Sequence, residues 1–153
     1  MRRLAIIALA SFALAANVTP AGAFSFTPKG VHFTASDWVE INAPYALSCL
    51  MNVTGVTHKD GDAAITSVTF KEGAPDCATT IATGLPWRVA PMSAGTAKIY
   101  NVGFTGSYTG SCGPSTGVIT VSAGGEWGLS MTLPKRCNLS VELDTSPPVS
   151  IAP

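Results

Sequence analysis

Apolar and polar residues alternate one by one over much of this chain. In YALSCLMNV, Tyr45, Leu47, Cys49, Met51 and Val53 fall on one face and Ala46, Ser48, Leu50 and Asn52 on the other. WGLSMTL sets Trp127, Leu129, Met131 and Leu133 against Gly128, Ser130 and Thr132, and CNLSVEL sets Cys137, Leu139, Val141 and Leu143 against Asn138, Ser140 and Glu142. Successive side chains of an extended strand point to opposite faces, so a period of two predicts half-buried antiparallel strands. GVHFTAS, AITSVTF, PWRVA, KIYNVGF and GVITVSA predict further strands. The segments between them (KDGD, EGAPD, TGLP, SAGT, SCGPSTG, AGGE, LPKR) are Gly, Pro, Asp and Ser turn chemistry. No long stretch carries apolar residues at helical spacing. About eight short strands with frequent turns predict an all-β, single-domain antiparallel β-sandwich, immunoglobulin-like or jelly-roll-like, with a small barrel as the alternative.

The first residues depart from this pattern. Arg2 and Arg3 precede the apolar run LAIIALASFALAA, and a polar stretch then ends in AGA at Ala23. A basic start, a short apolar run and a small-x-small site predict a signal peptide over residues 1–23. A membrane anchor, the competing reading, needs about 20 apolar residues. Residues 24–153 then form one domain, exported to the cell surface or medium, or held in the periplasm, with no transmembrane segment after cleavage. Its Pro-rich end, TSPPVSIAP, is expected to be an extended tail.

Charge narrows the partners. Removing Arg2 and Arg3 leaves seven basic residues against nine acidic ones, scattered along the sequence. Nucleic acids and anionic membranes require concentrated Lys and Arg, so neither is an expected partner. With 46% hydrophobic and 12% charged residues, the chain also has the composition of a folded domain.

Cys49, Cys77, Cys112 and Cys137 all lie beyond the leader. An even count in an exported chain reads as a disulfide framework, and four cysteines allow three connectivities. Pairing Cys49 with Cys77 and Cys112 with Cys137 closes two loops of similar length, each within one half of the chain. Cys49 and Cys137 would occupy inward strand positions, Cys77 and Cys112 Gly/Pro-rich turns. Zinc is disfavoured, because no C-x-x-C occurs and His32 and His58 are the only histidines.

In ATGLPW, Gly84 and Leu85 suit a bend and Pro86 the first position of a strand. Trp87 then faces inward, expected to cover the core near the Cys49–Cys77 loop as buried tryptophans do in other sandwiches. Catalysis finds little support. His58, Asp60 and Asp62 crowd around one Gly in THKDGDAA, which is hairpin-turn chemistry, and no nucleophile elbow is present. DGD lacks the spaced oxygen ligands of a calcium loop. His32 alternates outward.

FTPKGVHFTAS at the mature start, a cysteine within the next strand, AITSVTF before a second cysteine, ATGLPW, CGPSTG and a last cysteine ahead of a short strand together resemble the PraB-like family, the alkane oxidation protein activators. The resemblance runs in order along nearly the whole mature chain. It implies a secreted bacterial protein that is no enzyme and carries no cofactor, since alkane oxidation needs iron or another redox centre whose ligand cluster this sequence lacks. It further implies an adhesive or surface-active role toward poorly soluble material. The expected partner is a hydrocarbon interface, with self-association through an edge such as Phe24–Ser36 as a second possibility. Trp38, Tyr100, Phe104 and Tyr108 are candidates for an outward aromatic patch, or else complete the core. An extracellular carbohydrate- or lipid-binding module is the alternative and predicts a concave pocket.

Overall fold

A computed structural model describes residues 23–153. Apart from Ala23, the signal-peptide reading therefore lies outside the described residues. The inward faces read from the alternation in the Tyr45, Trp127 and Cys137 segments are buried, except for Tyr45 itself. Eleven strands occur among the described residues: β1 Ser25–Thr27, β2 His32–Ala43, β3 Tyr45–Thr57, β4 Ala63–Gly73, β5 Ile81–Thr83, β6 Trp87–Ser93, β7 Thr96–Gly106, β8 Gly110–Val121, β9 Glu126–Leu133, β10 Cys137–Asp144 and β11 Ser150–Ala152. β2 runs well past the predicted GVHFTAS, because Val39, Ile41 and Ala43 continue its inward face.

β2 to β10 form a single antiparallel sheet in which β3 pairs with both β2 and β4, and β10 returns to β2. The sheet therefore closes on itself. β5 and β6 both lie between β4 and β7, one after the other, so nine strands make eight staves of an up-and-down barrel. This corrects the expected β-sandwich. A period of two turns one face inward in either architecture; the choice is made where strand edges meet. Here β2, β3, β4, β7 and β8 are 11 to 13 residues long, twisted strands of this length curl a sheet until its two edges meet, and of the described strands only β1 and β11 remain outside it.

A lumen of eight staves is just wide enough for side chains to fill. Phe33, Val39, Ile41, Val89, Ile99, Val102, Phe104, Leu133 and Leu139 fill this one, each at most 2% exposed. The two ends are closed differently. Antiparallel β1 and β11 lie across one end, where Phe26 stacks on Trp127 (ring centroids 5.2 Å apart) and Phe33 packs on the same indole at 5.2 Å. Trp127 Nε1 donates to the Val149 carbonyl at 2.8 Å, and the Phe26 amide donates to that of Gly61 at 2.8 Å. TSPPVSIAP is thus part of the closure, with Val149 fully buried and Thr145 Oγ1 accepting from the Val149 amide. Phe33 faces Gly55 across β2 and β3, and a Cβ at Gly55 would meet its ring at 2.3 Å, so only glycine admits this aromatic cluster.

The opposite end carries both disulfides, Cys49–Cys77 and Cys112–Cys137, with Cα atoms 5.6 and 5.8 Å apart. Cys77 sits in a 3-10 turn, Pro75–Thr79, but Cys112 lies inside β8 and not in a turn. Bonds between a strand and a neighbouring segment tie this rim where the backbone ladder runs out.

Gly84, Leu85 and Pro86 break one stave into β5 and β6. Gly84 has φ +75°, and Asn101 on β7 bulges opposite with φ 62°. Trp87 is 2% exposed and its Nε1 donates to the Thr83 carbonyl at 2.8 Å, so the indole bridges the break that Pro86 creates. It pairs with Ile65, within the chain segment between Cys49 and Cys77, whereas the disulfide itself sits beside Gly73. Eight residues of β4, roughly 25 Å of strand, separate the two, so Trp87 does not cover the disulfide.

Candidate functional site

With the lumen filled, the chemistry open to this protein lies on its outside. The depressions reach about 430 Å³ and are grooves on the barrel wall, lined by strand residues such as Thr34, Ser36, Asn52 and Thr54.

The four aromatic residues proposed from sequence as a patch do not meet. Trp38 stands on the outer face of β2, half exposed, and reaches toward Gly73 at the end of β4. Tyr100 lies half-buried on β7 with the Arg88 guanidinium and the Lys98 ammonium each 5.6 Å from its ring centroid. Phe104 is in the core, 0% exposed and edge-on to Phe70, so its assignment to a surface patch is corrected. The residue sits beyond a register shift in β7 that moves the inward positions from Ala97 and Ile99 to Val102 and Phe104, which simple alternation does not reveal. Tyr108, in the β7–β8 turn, is 39% exposed.

Tyr108 has a partner that the sequence reading placed in a strand face: Tyr45, 64% exposed, its ring centroid 5.3 Å away. The alternation put Tyr45 on the inward side of β3. At the last rung of the barrel, however, an inward side chain has only the open mouth beneath it, and there it meets the ring of Tyr108. Partial desolvation in this pairing, then Tyr45 and Asp76, push the Tyr108 phenol above its ordinary pKa. The pair rests on the disulfide-bonded end of the barrel, and its signal in the sequence was an aromatic residue beside the β2–β3 turn and another within the β7–β8 turn.

The groups considered for catalysis or metal binding stay apart or are otherwise occupied. Asp62 Oδ2 is 2.6 Å from Arg88 Nη2 in an exposed ion pair, Asp60 Oδ1 accepts from the Asp62 amide, and His58 and His32 are exposed. The THKDGDAA segment is the β3–β4 turn. Among the described residues, no three His, Cys, Asp or Glu side chains converge as metal ligands, and no helix is long and apolar enough to cross a membrane. Charge is unevenly distributed: Asp37, Glu40, Glu126, Glu142 and Asp144 belong to the neighbouring strands β2, β9 and β10, while β4, β6 and β7 across the barrel carry Lys71, Arg88 and Lys98 with the single acid Glu72. Within Phe24–Ser36, β1 is paired on one side to β11 and β2 on one side to β3.

No curated protein and no solved structure matches the chain. A family model does, over residues 1–153, and its description is that of the alkane oxidation protein activators of the PraA/PraB-like kind. The match spans the whole sequence, and the chain belongs to the PraA/PraB-like alkane oxidation protein activator family.

Proposed function

We propose that this family member is an exported, non-enzymatic protein that acts at the surface of poorly soluble hydrophobic material, adsorbing through side chains on the outside of its barrel and so aiding attachment to, or use of, alkanes. One observation carries the reading: the lumen is filled by the protein's own side chains, while Trp38, Tyr45 and Tyr108 stand 50%, 64% and 39% exposed on the outside. An alkane that meets this protein meets its exterior. Two disulfides suit a domain that works outside the cell. The same filled lumen counts against a carbohydrate- or lipid-binding module, which predicts a concave pocket with convergent polar groups and aromatic walls.

Half of a tryptophan surface is roughly 100 Å², so seating Trp38 in oil is worth about 2.5 kcal/mol. The test is depletion of the oxidised mature protein from buffer by dispersed hexadecane, against an unrelated secreted β-protein of similar size. Selective depletion, reduced at least about tenfold in affinity by Trp38→Ser, is the expected result. Depletion no greater than that of the control overturns the reading.

A further inference from the structure

The barrel is closed, but two of its seams are only partly hydrogen-bonded: β8 and β9 pair at Ile119↔Leu129, Thr120↔Gly128 and Val121↔Trp127 alone, with the Cys112–Cys137 bond beyond them, and the β2–β10 seam is interrupted in its middle. β2 and β10 pair at Asn42↔Asn138, Ile41↔Leu139 and Glu40↔Ser140, and further down the chains meet again in a single bridge, Thr34↔Ser146, with both amides bonded at 2.9 and 2.8 Å. Five residues of β2 (35–39) and five following Ser140 (141–145) lie between these anchors. The register is therefore in step across the gap, and continuous pairing would set Ser36 against Asp144 and Trp38 against Glu142. These pairs are absent, although β2 remains paired to β3, and β10 to β9, along the same stretch.

The cause is visible in β2. Its inward positions are Phe33, Ala35, Asp37, Val39, Ile41 and Ala43, and all but Asp37 are buried; Ser36, Asp37 and Trp38 form three exposed residues in a row within an otherwise alternating strand. A carboxylate turned inward here would lie between Ala35 and Val39, opposite Met51, with no partner for its charge, at a prohibitive desolvation cost. Asp37 instead turns out. The Thr34 amide points to β10, so alternation aims that of Trp38 the same way, toward the carbonyl of Glu142. Asp37 Oδ1 accepts that amide at 2.7 Å. The side chain occupies the hydrogen bond that would have drawn the seam shut.

We propose that Asp37 is a wedge and that the β2–β10 seam is a line along which this barrel opens. Three of the wall grooves run along it, and they reach inner-face residues: Ala35 and Val53 line one, Val141 another, Trp127 and Leu143 a third. Glu142 and Asp144 face the same gap, and their repulsion of Asp37 works in the same direction as the wedge.

Amide hydrogen exchange followed by NMR tests this on the full mature protein. In the wild type, the amides of Ser36, Trp38, Glu142 and Asp144 exchange faster than those of Glu40 and Ser140. In Asp37→Ala, and in Asp37→Thr as a second neutral variant, the four amides slow at least about tenfold, the equivalent of about 1.4 kcal/mol, as the ladder completes itself. Unchanged exchange in both folded variants overturns the proposal. So does closure in Glu142→Gln/Asp144→Asn with Asp37 retained, because repulsion between the rims, and not the wedge, would then hold the seam apart.

Discussion

Phe26→Ala tests whether the β1–β11 closure belongs to the core or merely rests on it. Phe26 is 0% exposed, stacks on Trp127 at 27° between planes, and belongs to a strand of only three residues. Truncating a buried Phe removes its transfer free energy and leaves a cavity, typically 3–5 kcal/mol in total. For a domain of this size that is a large share of the 5–15 kcal/mol that usually separates folded from unfolded states, and lowers the melting temperature by roughly 10–20 °C. The assay is guanidinium denaturation of the oxidised protein followed by tryptophan fluorescence, in which Trp127 is observed together with Trp38 and Trp87. The midpoint falls and the slope stays constant if unfolding remains cooperative. Phe24→Ala is the internal control: at 37% exposure, two residues away, it costs less than about 0.5 kcal/mol. A loss below about 1 kcal/mol for Phe26→Ala would refute the reasoning, because the barrel would then stand without its plug.

The two disulfides close loops of 28 and 25 residues, so replacing either pair with Ala costs about 3 kcal/mol and the two costs are nearly equal; denaturation midpoints measure this, and a severalfold difference between the pairs would contradict the loop argument. Non-reducing peptide mapping returns Cys49–Cys77 and Cys112–Cys137, and a Cys49–Cys137 link would refute the pairing. Tyr108 ionises above the ordinary phenol value in a spectrophotometric titration, and Tyr45→Ala brings it down. Because the folded value is raised, the stability linked to the neutral phenol is fully present below the unfolded pKa and is lost as pH rises through the folded one. A Tyr108 that titrates at or below the ordinary value would refute the pairing effect.

Some of this architecture could be read without coordinates, and some could not. Where each inward residue has a buried neighbour two positions away, as in Leu129–Met131–Leu133 or Leu139–Val141–Leu143, the alternation named the buried face correctly. It failed at places where the backbone leaves the regular pleat: at Phe104, inside an irregular stretch of β7, and at Tyr45, on the last rung of the barrel. Asp37 was legible in principle, a lone carboxylate in an otherwise apolar register, but GVHFTAS was ended before it. Trp38, Tyr100 and Tyr108 fall on different staves and turns, and no spacing along the chain encodes that separation.

By itself, the sequence determined the all-β class, the inward faces of most strands, the turns and the supply of paired cysteines. These are local consequences of a two-residue period and of Gly, Pro and Asp backbone preferences. Only the tertiary structure decided that the sheet closes into a barrel, that β1 and β11 form one of its lids, that β5 and β6 share a stave, and that the β2–β10 seam stays parted in its middle. Those are matters of which edges meet, and edge pairing depends on twist and strand length summed over the whole sheet, which no single segment contains.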